Sequence, residues 1–126
     1  MALRSIVIAT AACLFLLHSP AQGHHSFAAE FTADERATIT GIVTEVWFRN
    51  PHVRYFIEVT HGDDAVETWD TRGSSPSLLV RKGWTKKTIS VGDTVTIEGH
   101  LGRFDKHLLS IITVELADGT KVGQGY

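Results

Sequence analysis

The stretch Ala37–Phe48, ATITGIVTEVWF, decides the fold of this chain. It is long and rich in β-branched residues, which favour strands, and it carries Gly41 in its interior. A glycine inside a strand is typical of a bulge or a sharp bend. Asn50 and Pro51 follow, and because proline cannot donate to a strand ladder, we expect this long first strand to end at Phe48.

Four further strands and a short helix are predicted downstream. Alternating residues indicate strands over 53–60 and 94–101, the hairpin turn after residue 60 leads into a strand over 65–71, and a last strand is predicted over 107–116. Ser75, Pro76 and Gly83 indicate a short helix, because they supply an N-cap, a first-turn proline and a terminating glycine. The order of three strands, a helix and two strands predicts an all-β protein of the oligonucleotide/oligosaccharide-binding (OB) type, a five-stranded and partly open barrel. A small β-sandwich built from the same strands is the alternative.

The beginning of the chain has the pattern of a secretory signal peptide. Arg4 precedes an apolar run, Ile6–Leu17, which is too short to cross a bilayer as a helix, and small residues follow it. We therefore expect a leader over residues 1–23, an N-terminal segment over 24–36 and a single domain over 37–126. The mature protein is expected in the periplasm or secreted, without a membrane anchor after cleavage.

Composition excludes several classes of function. The chain has 12 basic and 14 acidic residues and a net charge of −2, so it lacks the basic surface that nucleic-acid binding requires. Its one cysteine, Cys13, lies in the leader, where Leu14–Leu17 continue the apolar run and disfavour a lipid attachment site. Disulfides and thiolate metal sites are then excluded from the mature chain. Hydrolase, phosphate-loop and zinc-protease motifs are absent from the sequence, which leaves an enzyme uncertain and a binding protein favoured.

Processing determines what the adjacent histidines His24 and His25 can do. Cleavage after Gly23 makes His24 the first residue, with a free α-amine and an imidazole. One more imidazole completes a three-nitrogen site, called a histidine brace, which suits copper(II). Cleavage after Ala21 instead places His24 third, in a chain terminus that also chelates copper or nickel. Copper is the predicted cofactor in both cases; the alternative is that the histidine pair binds no metal.

The missing imidazole is predicted to come from His52, which the Asn50-Pro51 turn places at the rim of the barrel. Carboxylates that could join the site are Glu30, Glu45, Glu58 and Asp70. His61 and His107 are expected to be solvated. Trp69 and Phe56 are predicted to face away from the apolar side of their strands, so either one is a candidate to line an exposed groove. The second hypothesis is accordingly a metal-free module that binds a periplasmic protein or a small ligand such as a sugar.

These motifs, taken in order, resemble an exported bacterial family catalogued as domain of unknown function 6152. The motifs that carry the resemblance are His24-His25-Ser26-Phe27, Asn50-Pro51-His52, Trp69, Ser75-Pro76 with Leu79, Gly83-Trp84, Gly92-Asp93 and Asp118-Gly119. The resemblance implies that His24, His25 and His52 act together. Many relatives carry a glutamate where this chain has Arg72, so a carboxylate of the site is either absent here or replaced by Asp70.

Overall fold

The computed structural model describes residues 27–123, which form six strands and a short helix after a helical stretch at residues 27–30. The elements are β1 (Phe31–Trp47), β2 (Arg54–Thr60), β3 (Val66–Arg72), α1 (Pro76–Arg81), β4 (Thr94–Gly102), β5 (Leu108–Leu116) and β6 (Lys121–Gly123). The predicted order of three strands, a helix and two strands is confirmed.

The strands form a single sheet in the order β3-β2-β1-β4-β5-β6, and β3 also pairs with β5. That last pairing is parallel, whereas the others are antiparallel, and it makes a ring of the first five strands. Because one sheet returns on itself, the alternative of two packed sheets is wrong. A ring also leaves few unpaired strand edges.

β1 is long because it serves two neighbours. Its first part pairs with β4 as far as Ile42, which lies opposite Thr94, and its last part, from Ile42 to Trp47, pairs with β2. The change of partner occurs beside Gly41, where a Cβ atom would lie 2.2 Å from the carbonyl oxygen of Glu58 on β2. The bend expected at Gly41 is therefore a place where two backbones approach too closely for any side chain.

The helix begins and ends as its residues predict. The Ser75 hydroxyl accepts a hydrogen bond from the Leu78 N–H, Pro76 stands in the first turn, and Gly83 has a positive φ of 90°. Leu79 of the helix and Trp84 after it are buried and belong to the main core. The helix thus packs against the inside of the ring through two side chains that the alternation of the strands does not supply.

The core fills the ring with alternate residues of the strands. Val43, Tyr55 and Ile57 are fully buried, while the residues directly before and after each of them on the strand face outward. The other buried members are Ile39, Val53, Leu79, Trp84, Ile89, Val95, Ile97, Leu109, Ile111 and Val114. This alternation fixes which side chains of β1, β2 and β3 lie on the outer surface.

Two boundaries differ from those expected. β1 begins at Phe31 rather than Ala37, because Phe31 and Arg36 already pair with β4, and residues 33–36 are exposed. A sixth strand, β6, follows the predicted Asp118-Gly119 turn. It pairs with the end of β5, whereas β3 pairs only with the beginning of β5. Neither feature has an apolar alternation that would indicate it in the sequence.

Candidate functional site

The candidate site lies around the loop from β1 to β2, residues 48–53, which carries His52. His52 is exposed, and no hydrogen bond or ion pair joins it to another residue of the described range. The other two predicted ligands, His24 and His25, lie outside the described residues, as do Cys13 and the cleavage site after Gly23. Within residues 27–123, no group of three histidine, cysteine or acidic side chains is arranged to hold a metal ion.

The start of the described chain is fixed near this loop by several contacts. The Phe27 ring packs on the rings of Phe31 and His100, at 5.3 and 5.5 Å. The Glu30 carboxylate accepts a hydrogen bond of 2.8 Å from Arg72, at the end of β3. The next residue, Gly73, donates its N–H to the carbonyl of Val53, at 2.8 Å. Glu30 and Val53, the residue after His52, are therefore both tied to the end of β3: Glu30 by the ion pair with Arg72, and Val53 by the backbone hydrogen bond from Gly73.

The same region holds a chain of charges along the outer surface of β2 and β3. The Asp70 carboxylate accepts two hydrogen bonds from the Arg54 guanidinium, one from Nε at 3.0 Å and one from Nη2. It accepts a third from Nε of Arg72, at 3.2 Å. Hydrogen bonding to Asp70 raises the pKa of the Arg54 guanidinium. Asp70 is thus engaged by two cations, as Glu30 is by one, so neither carboxylate is available as a metal ligand without breaking an ion pair.

An aromatic surface adjoins these charges. Trp47 of β1 and Phe56 of β2 lie edge to face with their ring centroids 5.2 Å apart. The Arg49 guanidinium lies 4.1 Å from the Trp47 ring centroid, and that of Arg54 lies 4.6 Å from it. We call these four side chains, Trp47, Arg49, Arg54 and Phe56, the Trp47 face. Phe56 thus lies on the outer surface of the sheet.

Trp69, the other candidate for an exposed groove, lies on the side of the sheet that faces the core. It pairs with Ile57, whereas Phe56 pairs with Asp70, so Trp69 and Phe56 lie on opposite faces of the sheet. Trp69 is half-buried against the main core, and its ring meets the His107 imidazole at 5.1 Å. The two aromatic residues therefore cannot line one groove.

Sequence reasoning also missed a cluster around Glu67. The Nε2 atoms of His61 and His107 lie 3.0 and 3.4 Å from the same Glu67 oxygen. The hydrogen bond from His61 is the main cause that lowers the pKa of the Glu67 carboxyl, and the charge of His107 adds to it. Both histidines were expected to be solvated. His61 reaches Glu67 across the turn from β2 to β3, whereas His107 reaches it because β3 pairs with the beginning of β5, a contact that no local pattern indicates.

A shallow cleft of about 260 Å³ lies between the beginning of β4 and the end of β5. Its two carboxylates accept backbone hydrogen bonds within their own turns, Asp93 from Ser90 and Asp118 from Thr120. The Thr120 hydrogen bond also lowers the pKa of the Asp118 carboxyl. These contacts explain both acidic groups as turn residues.

Within the described range, no helix is long and apolar enough to cross a membrane. A search of curated protein sequences found no match to this chain. Among solved structures, the chain is similar to a mitochondrial single-stranded DNA binding protein of S. cerevisiae, Rim1, with a TM-score of 0.51 and 13% identity. The match covers 66% of this chain and 93% of Rim1.

At that level of identity the likeness concerns the fold alone, and it confirms the expected OB-like arrangement. The sequence itself matches the model of a family of unknown function (DUF6152) over residues 12–109, most of its length. This chain therefore belongs to the DUF6152 family.

Proposed function

We propose that this protein is an exported metal carrier that holds one copper ion at its mature amino terminus. His24 would supply its α-amine and imidazole, and His52 a second imidazole, with His25 as a further ligand or a neighbour that orients the site. Three nitrogen ligands suit copper(II), which binds nitrogen ligands most tightly among the common divalent metals. Carriage or delivery is favoured over catalysis, because residues 27–123 contain no acid or base that the contacts link to His52.

One observation carries this proposal: the contacts that link Glu30 to the loop of His52. The Glu30–Arg72 ion pair and the Gly73–Val53 hydrogen bond hold residue 30 and residue 53 at the same end of β3. His24 stands six residues before Glu30, and six residues of chain reach at most about 20 Å. The α-amine and imidazole of His24 are therefore tethered within that distance of Glu30, at the end of β3 to which the loop of His52 is also bound. The exposed and unengaged imidazole of His52 supports the same conclusion.

The test is a copper(II) titration of the mature protein, with its first residue established by mass spectrometry. We expect one equivalent of copper to bind, and His24→Ala and His52→Ala each to weaken binding about tenfold or more, because each removes a nitrogen ligand. His61→Ala, which removes an exposed imidazole elsewhere, is the matched control and should bind as wild type does. Equal affinity in wild type, His24→Ala and His52→Ala would overturn the proposal.

A metal-free binding module remains the second candidate, and the Trp47 face favours it. Paired aromatic rings on the outer surface are common in ligand sites, where they supply apolar contact beside polar groups. Four extra residues without histidine, placed before His24, distinguish the candidates, because neither histidine then stands third in the chain. They remove the α-amine ligand and so weaken copper binding, but they leave a ligand on the Trp47 face unaffected.

A further inference from the structure

The Trp47 face is built to keep one aromatic ring in a fixed orientation. The Trp47 indole N–H donates a hydrogen bond to Glu45 on the same strand, which fixes the plane of the ring. The planes of the Phe56 ring and the indole meet at 66°, so Phe56 packs against the indole on one side. A ring held in this way offers a flat surface without first losing side-chain entropy.

The two guanidinium groups over this ring are held very differently. Arg54 is bound by both oxygen atoms of Asp70 and also lies 5.1 Å from the Phe56 ring centroid, so it is a fixed part of the surface. Arg49 lies in the loop, is exposed, and has no carboxylate partner within residues 27–123. Its contact with Trp47 is of a kind that contributes little at an exposed position. The Arg49 guanidinium therefore lies over the Trp47 ring in a position from which a ligand can displace it.

The charges around the face are balanced. Arg49, Arg54 and Glu45 contact Trp47, and ion pairs extend from Arg54 to Asp70, Arg72 and Glu30, which makes three arginines and three carboxylates. A balanced surface does not attract a polyanion such as a nucleic acid or an acidic glycan. It suits a neutral ligand that stacks its apolar side on the ring and offers hydroxyl groups to the carboxylates and guanidiniums at its edge.

A pyranose sugar has this combination of properties. Its axial C–H groups form an apolar face that carries slight positive charge, which matches the negative face of an indole. We propose that the Trp47 face binds a neutral pyranose of an oligosaccharide, stacked on Trp47 in the place that Arg49 occupies. This inference rests on the second candidate function above and names its ligand class.

The experiment is isothermal titration calorimetry of the mature protein, with EDTA present so that copper takes no part. The probes are maltohexaose, cellohexaose and chitohexaose, with hexagalacturonate and an oligothymidylate for comparison. We expect at least one neutral hexasaccharide to bind with a Kd of about 1 mM or lower, and more tightly than either anionic probe. The Trp47 indole N–H resonance should shift in the same titration followed by NMR.

Variants separate stacking from charge recognition. Trp47→Ala should weaken binding about tenfold or more, while Phe104→Ala, which removes an exposed aromatic ring elsewhere, should bind as wild type does. Arg49→Ala should bind as tightly as wild type or more tightly, because it uncovers the ring. Thermal unfolding of each variant checks that it is folded.

Three results would overturn the inference: no binding of any neutral hexasaccharide, wild-type binding by folded Trp47→Ala, or tighter binding of an anionic probe. Loss of binding in Arg49→Ala would also overturn it, because the guanidinium and not the ring would then be the recognised group. None of these results bears on copper. Failure of the copper titration, in turn, leaves sugar binding to be judged by these measurements alone.

Discussion

Replacing Gly41 with alanine should severely destabilise the fold. Gly41 pairs with Val95 of β4 while its other side faces β2, and it stands one residue before β1 takes up pairing with Glu58. A Cβ atom there would lie 2.2 Å from the Glu58 carbonyl oxygen and 2.9 Å from a methyl carbon of Ile57. Ile57 is fully buried, so it has no space into which to retreat.

The cost can be estimated from these contacts. Ordinary contact requires β1 and β2 to separate by about 1 Å or more at this point, which is an overpacking cost of about 1–3 kcal/mol. The movement also weakens about one ladder hydrogen bond, worth about 1 kcal/mol. Alanine restricts the unfolded chain and returns about 0.4–1 kcal/mol. The expected net loss is about 2–3 kcal/mol, or about 10–20 °C in Tm for a domain of this size.

Urea unfolding followed by circular dichroism measures this loss, and Gly62→Ala is the matched control. Gly62 lies in the turn between β2 and β3, where a Cβ atom would have no neighbour within 4 Å. Its replacement should change the free energy of unfolding by less than about 0.5 kcal/mol. If Gly41→Ala proved as stable as Gly62→Ala, the close approach of β1 and β2 would be refuted, and with it the explanation of how β1 pairs with two strands.

Two further predictions concern buried and paired groups. Tyr55→Phe should raise the free energy of unfolding by about 1 kcal/mol in urea, because the buried Tyr55 hydroxyl has no hydrogen-bond partner within the described residues and burial raises the pKa of this phenol; a loss of stability would show that the hydroxyl is satisfied. Glu67→Gln should be less stable than wild type at about pH 6, and the difference should shrink as the pH falls below about 4.3, the ordinary pKa of a glutamate. The sign follows because the pKa of Glu67 is lowered by His61, so its stabilisation is present above the unfolded pKa and is lost as the pH falls through the folded pKa; a difference that is unchanged between about pH 6 and about pH 2 would contradict it.

The fold was largely predictable because its signals are local. β2 and β4 alternate between buried and more accessible residues, and Ser75 and Pro76 mark the start of α1 by their own chemistry. Gly41 could be recognised as a bend from its place inside a β-branched run, although the sequence alone did not identify the Glu58 carbonyl as its cause.

The orientation of β3 was not predictable in the same way. Its sequence, VETWDTR, has polar residues on both faces, so alternation cannot tell which face turns inward. Pairing with β2 decides this, because Trp69 lies opposite the buried Ile57. The prediction that Trp69 faces outward was wrong for that reason. The Trp47 face was missed in part because Arg49 and Arg54 meet Trp47 only once β1 and β2 are paired.

The Asp70 carboxylate connects the two regions to which functions are proposed. On one side it accepts a hydrogen bond from Arg72, which holds Glu30 and so the start of the described chain; on the other it fixes Arg54 over the Trp47 ring. Because Asp70 is hydrogen-bonded to both arginines, it would have to give up an ion pair to serve as a metal-binding carboxylate, the role that the resemblance to relatives left open. Its position instead makes the outer surface of β2 and β3 a rigid support. A copper site near His52 and a sugar site on Trp47 would then share this support without sharing a ligand, which is why substitutions at His52 and at Trp47 can be interpreted independently.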